Sequence, residues 1–142
     1  RPGAPRMARG RRLPQMTMST DRLQQIRHRL RQFTEERDWG QFHNPKNLAM
    51  AVVSEAGELA AELRWVEGAQ SDDFVRTSPG RERVAQEVAD VAIALLLFCD
   101  RAEIDLLEAI ERKIEVNAGR YPVEVARGKA ERPPLDATPS AP

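Results

Sequence analysis

The stretch VAQEVADVAIALLLFC, residues 84–99, decides the fold class of this 142-residue chain. Wound into a helix, it is apolar on nearly every face, and only Glu87 and Asp90 interrupt it with charge. A helix that is apolar all round has to be covered all round. Three further short helices in one chain do not suffice for that. We therefore expect an oligomer, a dimer or a dimer of dimers, built around this helix and the one before it.

Apolar residues at helical spacing predict a first helix from about Thr20 to Asp38. A second helix begins at Asn44-Pro45, where an N-cap residue is followed by proline at the first helical position. It continues to about Trp65. The polar residues from Gly68 to Gly80 predict a loop.

Ser78-Pro79 repeats the cap-and-proline signal and opens the third helix, which runs to about Asp100. Asp105, with Glu108 three residues later, resembles a capping box and opens the fourth helix, which ends near Gly119. We find no convincing strand alternation. The predicted fold is therefore an all-α, four-helix bundle assembled as an oligomer.

The composition narrows the class of protein. The 22 Lys and Arg balance the 22 Asp and Glu, and this argues against a dedicated nucleic-acid binder, which usually shows a basic excess. The single cysteine, Cys99, excludes a disulfide framework within one chain and fits a reducing compartment. The longest apolar run is far shorter than the roughly 20 residues of a membrane span. We expect a cytoplasmic protein that binds neither nucleic acid nor membrane.

Proline placement marks the ends of the folded part. Seven of the ten prolines lie before residue 15 or after residue 132. We expect residues 1–18 to form a disordered N-terminal leader, 19–128 the all-α domain and 129–142 a disordered Pro-rich tail. The first residues could equally precede a natural start at Met16 or Met18.

Two pairs of acidic residues carry the functional signal. Glu55-x-x-Glu58 and Glu87-x-x-Asp90 each place two carboxylates on one helix face, one turn apart, in apolar surroundings. No comparable set of Lys or Arg lies in these segments to neutralise them, and uncompensated buried charge is costly. If the two helices pack antiparallel, the four carboxylates face one another. Their repulsion favours a site that holds cations between them.

The ligand type indicates the metal. Carboxylate oxygens select hard ions, Mg²⁺ or Mn²⁺, and such sites leave positions that substrate phosphates fill. A di-iron bundle would need Glu-x-x-His on two helices, and neither His28 nor His43 follows a glutamate at that spacing. The four acids could instead form a solvated face with ordinary surface pairs. Glu62 is a third possible ligand on the second helix, a group that supports the ligands, or a plain surface glutamate.

Aromatic and basic residues suggest contacts to a nucleotide. Trp39 and Trp65 lie near the two ends of the second helix, where they could stack on a base or cap the hydrophobic core. Lys113, Asn117 and Arg120 lie along the last turns of the fourth helix. They could meet triphosphate oxygens or form a solvated helix end.

Several motifs, in order along residues 20–128, resemble the MazG-like all-α nucleoside triphosphate pyrophosphohydrolases, and within them the dCTP pyrophosphatase branch. The matching segments are Asp38-Trp39-Gly40-Gln41-Phe42-His43, Pro45, Asn47-Leu48, Ser54-Glu55-Ala56-Gly57-Glu58-Leu59, Trp65, Glu87-Val88-Ala89-Asp90, Lys113, Asn117 and Arg120-Tyr121-Pro122.

This resemblance implies a reaction and a set of site residues. Glu55, Glu58, Glu87 and Asp90 would hold Mg²⁺, and water would attack the α-phosphorus to give a nucleoside monophosphate and pyrophosphate. The implied substrate-binding residues are Trp39, His43, Asn47, Trp65, Lys113, Asn117, Arg120 and Tyr121. Family members form dimers or tetramers in which two chains build each site, so the resemblance implies a homotetramer.

We therefore expect a Mg²⁺-dependent enzyme, with Mn²⁺ as an alternative ion, that clears (deoxy)nucleoside triphosphates, dCTP or modified dCTP among them, from the nucleotide pool. The alternative is a helical module that senses nucleotides, or only dimerises, without turnover. Two departures concern the nucleoside side. Animal members of the dCTP branch carry tyrosine at the position of Ala94 and histidine at the position of Leu30.

Overall fold

The computed structural model describes residues 16–131, and within them every regular element is a helix. The elements are α1 (Met16–Glu35), a 3₁₀ helix η1 (Trp39–Phe42), α2 (Pro45–Leu63), α3 (Gly68–Arg76), α4 (Gly80–Arg101), α5 (Leu106–Arg120) and α6 (Val123–Ala126). The predicted all-α class is confirmed. The four predicted helices correspond to α1, α2, α4 and α5. The predicted disorder at both ends falls almost entirely outside the described residues.

The antiparallel pair of α2 and α4 forms the centre of the fold and makes its most extensive helix–helix contact. The buried apolar side chains of the described part belong to these two helices; they are Leu48, Ala94, Leu96 and Cys99. Helix α1 is attached to α4 by Asp100, whose Oδ1 accepts hydrogen bonds from Arg27 Nη2 and Arg31 Nη1, each at 3.0 Å.

Two of the predicted helix starts are confirmed by their caps. Asn44 Oδ1 accepts the backbone N–H of Asn47 at 2.9 Å, and Pro45 occupies the first helical position of α2. Asp105 Oδ1 accepts the N–H of Glu108 at 3.0 Å at the start of α5. Here the Glu108 carboxylate pairs with Arg112 one turn on, so the described contacts include only the aspartate half of a capping box.

The predicted loop from Gly68 to Gly80 is wrong, because most of it is helix α3. Among its mostly polar residues Phe74 and Val75 are half-buried, and Phe74 packs against the start of α4. A Cβ at Gly80 would lie 2.4 Å from the Phe74 carbonyl oxygen and 2.9 Å from its ring. Glycine therefore lets α3 approach α4 closely, and burial outweighs the weak helix propensity of the segment.

The Ser78-Pro79 cap is also wrong. Pro79 itself is the N-cap residue of α4, no side chain caps this end, and the Arg81 N–H donates to the Thr77 carbonyl oxygen at 2.9 Å. The Ser78-Pro79 peptide bond is cis.

Two helix ends differ from prediction. Helix α1 stops at Glu35 rather than Asp38, because Asp38 adopts a left-handed conformation with φ of 52°, which aspartate tolerates better than most residues. Helix α5 runs through Gly119 to Arg120, and its C-cap is Tyr121. Gly119 keeps the helical conformation and is not the C-cap.

The described chain leaves much apolar surface uncovered. On α5 the predicted stripe of Leu107, Ile110 and Ile114 is exposed, and on the central pair Val53 and Val88 are exposed as well. The predicted oligomer would cover such faces, and it stays a prediction. No helix among the described residues has the length and apolar character needed to cross a membrane.

Candidate metal and nucleotide site

Helices α2 and α4 bring the predicted acids together. One carboxylate oxygen each from Glu55, Glu58 and Glu87 lies within 4.8 Å of the other two. Asp90 is one turn beyond Glu87 on α4 and lines a cavity that Glu55 also lines. Spacings of three residues on each helix put each pair on one face, and the antiparallel packing turns the two faces toward each other.

The charge of this cluster is uncompensated. Within the described residues, Glu55, Glu58, Glu87 and Asp90 accept no hydrogen bond and form no ion pair. The pKa of the Glu87 carboxyl is raised above its usual value, first because the group is partly buried and then because the charges of Glu58, Asp90, Glu62 and Glu55 surround it. A convergent, all-oxygen donor set without counter-charge fits a hard divalent cation.

A cavity of about 210 Å³ with a mixed polar and apolar lining adjoins the acids. Its lining includes His43, Asn47, Glu55, Asp90 and Ala94. The structure thus places His43 and Asn47 in the same cavity lining as Glu55 and Asp90. The Asn47 side-chain N–H donates to the Phe42 carbonyl oxygen at 2.9 Å, so this residue also holds η1 against the start of α2.

A second, mostly apolar cavity of about 420 Å³ lies between α1, η1 and α4. Its apolar lining residues are Ile26, Leu30, Phe33, Trp39, Ile93 and Leu97. The two cavities share His43, Ile93 and Leu97, so they are adjacent. The Trp39 ring packs edge-on against Phe33, with centroids 5.6 Å apart, and against His43 at 6.5 Å.

Comparison with known proteins finds relatives that are named as pyrophosphatases. The chain is 39% identical over 108 residues to dCTP pyrophosphatase 1 of Rattus norvegicus, covering 76% of this chain and 64% of the relative. It is 36% identical over 110 residues to dCTP pyrophosphatase 1 of Homo sapiens, covering 78% and 65%. The chain thus spans slightly less than two thirds of these relatives. No protein-family model matches it.

One solved structure is covered over a larger share of its length than these relatives are. The crystal structure of a pyrophosphatase from Archaeoglobus fulgidus superposes with a TM-score of 0.67 at 35% identity, over 71% of this chain and 93% of that one. The chain belongs to the MazG-like pyrophosphatases. The resemblance inferred from its motifs is therefore confirmed, and so is the fold that the resemblance implies.

Some residues that the MazG-like motif singles out are not gathered at the acids. Trp65 follows the end of α2 and is 89% exposed. Lys113, Asn117 and Arg120 lie on α5, and Tyr121 caps it. Within the described part of one chain, none of these five lines either cavity.

Sequence reasoning missed one charged partner of the acids in this MazG-like chain. Arg83 on α4 forms an ion pair with Glu62 on α2, with Nη2 and Oε2 2.7 Å apart. The signal was present in the sequence, since Arg83 lies four residues before Glu87 and hence on the same face of α4. The sequence alone did not show which turn of α2 packs against this face of α4.

Proposed function

We propose that this chain hydrolyses deoxynucleoside triphosphates to a nucleoside monophosphate and pyrophosphate, with dCTP or a modified dCTP among its substrates. The observation that carries the proposal is the convergence of Glu55, Glu58 and Glu87 without counter-charge, in a chain similar to enzymes named as pyrophosphatases. Such an activity would clear unwanted nucleotides from the pool. The lone free thiol, Cys99, fits a cytoplasmic setting.

Mg²⁺ is the ion that we assign to the four acids, with Mn²⁺ as an alternative. Glu55 and Glu58 would hold it from α2, and Glu87 and Asp90 from α4. A divalent ion bound there would neutralise charge on the phosphoryl oxygens and make water more acidic. The four carboxylates would fix the position of the divalent ion, because they are held by two helices that pack against each other.

The apolar cavity is the place that we assign to the nucleoside. Trp39 offers an aromatic face beside it, and stacking of a base on such a face is worth about 1–3 kcal/mol. Leu30 lines this cavity and Ala94 lines the adjacent one, and neither offers a polar side-chain atom. A pocket with few polar contacts discriminates weakly between bases, so we expect several deoxynucleotides to be accepted.

The remaining motif residues would act from a second chain. None of these residues lines either cavity of its own chain; they are Trp65, Lys113, Asn117, Arg120 and Tyr121. The uncovered apolar faces of α2, α4 and α5 supply surfaces for association. We propose a homotetramer, a dimer of dimers, in which each site combines the acids of one chain with the α5 end of another.

The decisive experiment measures products from dCTP, 5-methyl-dCTP, dUTP, dTTP, dATP and dGTP, with Mg²⁺, with Mn²⁺ and with EDTA. We expect monophosphate and pyrophosphate in equal amounts, only when a divalent ion is present. Release of inorganic phosphate and a diphosphate would contradict the reaction type. Tight nucleotide binding without turnover would indicate a nucleotide-sensing module instead.

Subunit mixing tests the shared site. Glu55→Gln and Lys113→Met chains, each inactive alone, should regain activity when they are unfolded together and refolded, because some sites then combine two intact halves. If the mixture stays inactive while each parent refolds to the native assembly, the two residues act within one chain.

A further inference from the structure

Side chains of α2 and α4 face each other in three successive pairs. Glu55 and Asp90 line one cavity, and Glu58 is the foremost of the charges acting on Glu87. Glu62, one turn further along α2, meets Arg83, one turn earlier on α4. Two of these pairs therefore bring like charges together, and the third brings opposite charges together.

In the third pair, the glutamate side chain is much less exposed than the arginine side chain. The Glu62 side chain is only 18% exposed, whereas that of Arg83 is 59% exposed. Glu62 Oε2 is shielded from solvent and accepts no hydrogen bond from the described residues, so its contact with the Arg83 guanidinium is ionic. A buried carboxylate oxygen left without a partner is costly, and Arg83 is the group that offsets this cost.

Glu62 stands apart from the converging acids. The three residues whose oxygens approach within 4.8 Å of one another are Glu55, Glu58 and Glu87, and Glu62 is not among them. A flexible glutamate one turn from Glu58 could otherwise swing toward a cation held there, since residues four apart are neighbours on a helix. Its contact with Arg83 engages the Glu62 carboxylate instead, although its charge still acts on Glu87.

We propose that Arg83 is a positioning residue that withholds Glu62 from the divalent-cation site, so that the site offers four carboxylates rather than five. This inference rests on the proposed function. The five acids and Arg83 together leave four uncompensated negative charges. Ligand number matters for ion choice, because Ca²⁺ takes six to eight flexible oxygen ligands while Mg²⁺ keeps waters and few carboxylates. Arg83 thus favours Mg²⁺ over Ca²⁺.

Two other roles would give different results. If Arg83 orients Glu62 as a ligand, its loss weakens cation binding, since partners of metal ligands typically contribute about 10–100-fold in affinity. If Arg83 acts only through its charge, its loss strengthens cation binding whether or not Glu62 is present. Sequestration requires that the effect depend on the Glu62 carboxylate.

The test is calorimetric titration of Mg²⁺ and of Ca²⁺ into the metal-free full chain, without nucleotide. The variants are Arg83→Met, Arg83→Lys, and Arg83→Met combined with Glu62→Gln, with Glu58→Gln as the reference for the loss of one proposed ligand. Arg81→Met is the matched control, because it removes an exposed arginine from the same helix without touching Glu62. Thermal melting with each ion provides a second readout.

We expect Arg83→Met to bind Ca²⁺ about tenfold more tightly, with a smaller gain for Mg²⁺, on the scale of partners of metal ligands. Arg83→Lys, Arg81→Met and the double variant should match the unsubstituted chain.

Unchanged or weaker Ca²⁺ binding by Arg83→Met overturns the proposal. So does a gain that persists in the double variant, or a double variant weakened as strongly as Glu58→Gln. If Arg83→Met does not fold, the double variant alone decides whether Glu62 is a ligand. An unsubstituted chain that binds neither ion contradicts the proposed metal site itself.

Discussion

Replacing Glu55 by glutamine should stabilise the metal-free protein and destabilise the protein in Mg²⁺. The substitution keeps the size of the side chain and removes one of the converging charges. In the metal-free state the Glu55 and Glu58 oxygens, which lie within 4.8 Å of each other, repel. In the proposed site the same carboxylate would be a ligand of Mg²⁺ that glutamine replaces poorly. The sign of the effect should therefore reverse with the ion.

The magnitude follows from the distance. Two unit charges 4.8 Å apart repel by about 3.5 kcal/mol at an effective dielectric constant of 20 and by about 0.9 kcal/mol in water. Glu58 is exposed and Glu55 half-buried, so the lower value, about 1 kcal/mol, is the better guide. That corresponds to a rise in Tm of roughly 3–5 °C. Mg²⁺ at a hundred times its Kd should raise the stability of the unsubstituted chain by about 2.7 kcal/mol.

The assay is thermal unfolding at one fixed protein concentration, in EDTA and in excess Mg²⁺. Glu115→Gln on α5 is the control, because it removes an exposed glutamate that is distant in sequence from the acid cluster and has no ion pair among the described residues. It should melt like the unsubstituted chain in both buffers. A Glu55→Gln protein that melts lower in EDTA, or that gains as much from Mg²⁺ as the unsubstituted chain, refutes the repulsion argument.

Three further predictions address the helix starts and the titration of the cluster. Asn44→Ala should lower the free energy of unfolding in urea by about 1 kcal/mol, because the N–H of Asn47 loses its side-chain cap. An unchanged midpoint of urea unfolding would mean that water fully replaces this cap. Gly80→Ala should destabilise by about 1–3 kcal/mol, since the new Cβ meets the Phe74 carbonyl oxygen, and hydrogen exchange should show looser α3 amides. The raised pKa of Glu87 means that the stability this group contributes is present below its usual value of 4.5 and is lost as the pH rises through the folded value. The metal-free protein should thus gain stability as the pH is lowered through the raised pKa of Glu87 toward 4.5, and Glu87→Gln should remove part of that gain.

Local chemistry explains which helices the sequence predicts well. Asn44-Pro45 and Asp105 act through contacts with residues three positions away, so their caps are visible in the sequence. Helix α3 is different, because its stability comes from Phe74 meeting α4 at a glycine. Such a contact depends on tertiary packing, which residue spacing along α3 does not report.

The same distinction applies to the site. The acids could be predicted as a group because each pair lies on one turn of one helix, and two such pairs on packed helices must meet. Arg83 lies on the same face, but its partner depends on the register between α2 and α4. The placement of Lys113 and Arg120 depends on where α5 lies relative to other helices and other chains, and no spacing within α5 determines that.

The register of α2 against α4 is itself a product of competing forces. In the observed register Leu48 and Ala51 line one cavity with Leu97 and Ala94, while two acid pairs face each other at a cost in repulsion. A shift of one turn would place Glu58 against Arg83 and leave fewer like charges facing.

That shift would also move the Asp90 side chain onto the apolar surface around Ala51, where a lone carboxylate has no partner. Apolar matching at the Leu48 end and the Arg83–Glu62 contact at the other end therefore hold the helices in the register that concentrates negative charge. The packing that forms the core thus keeps the carboxylates together without a cation, and a cation bound at the proposed site would relieve a repulsion that the fold maintains.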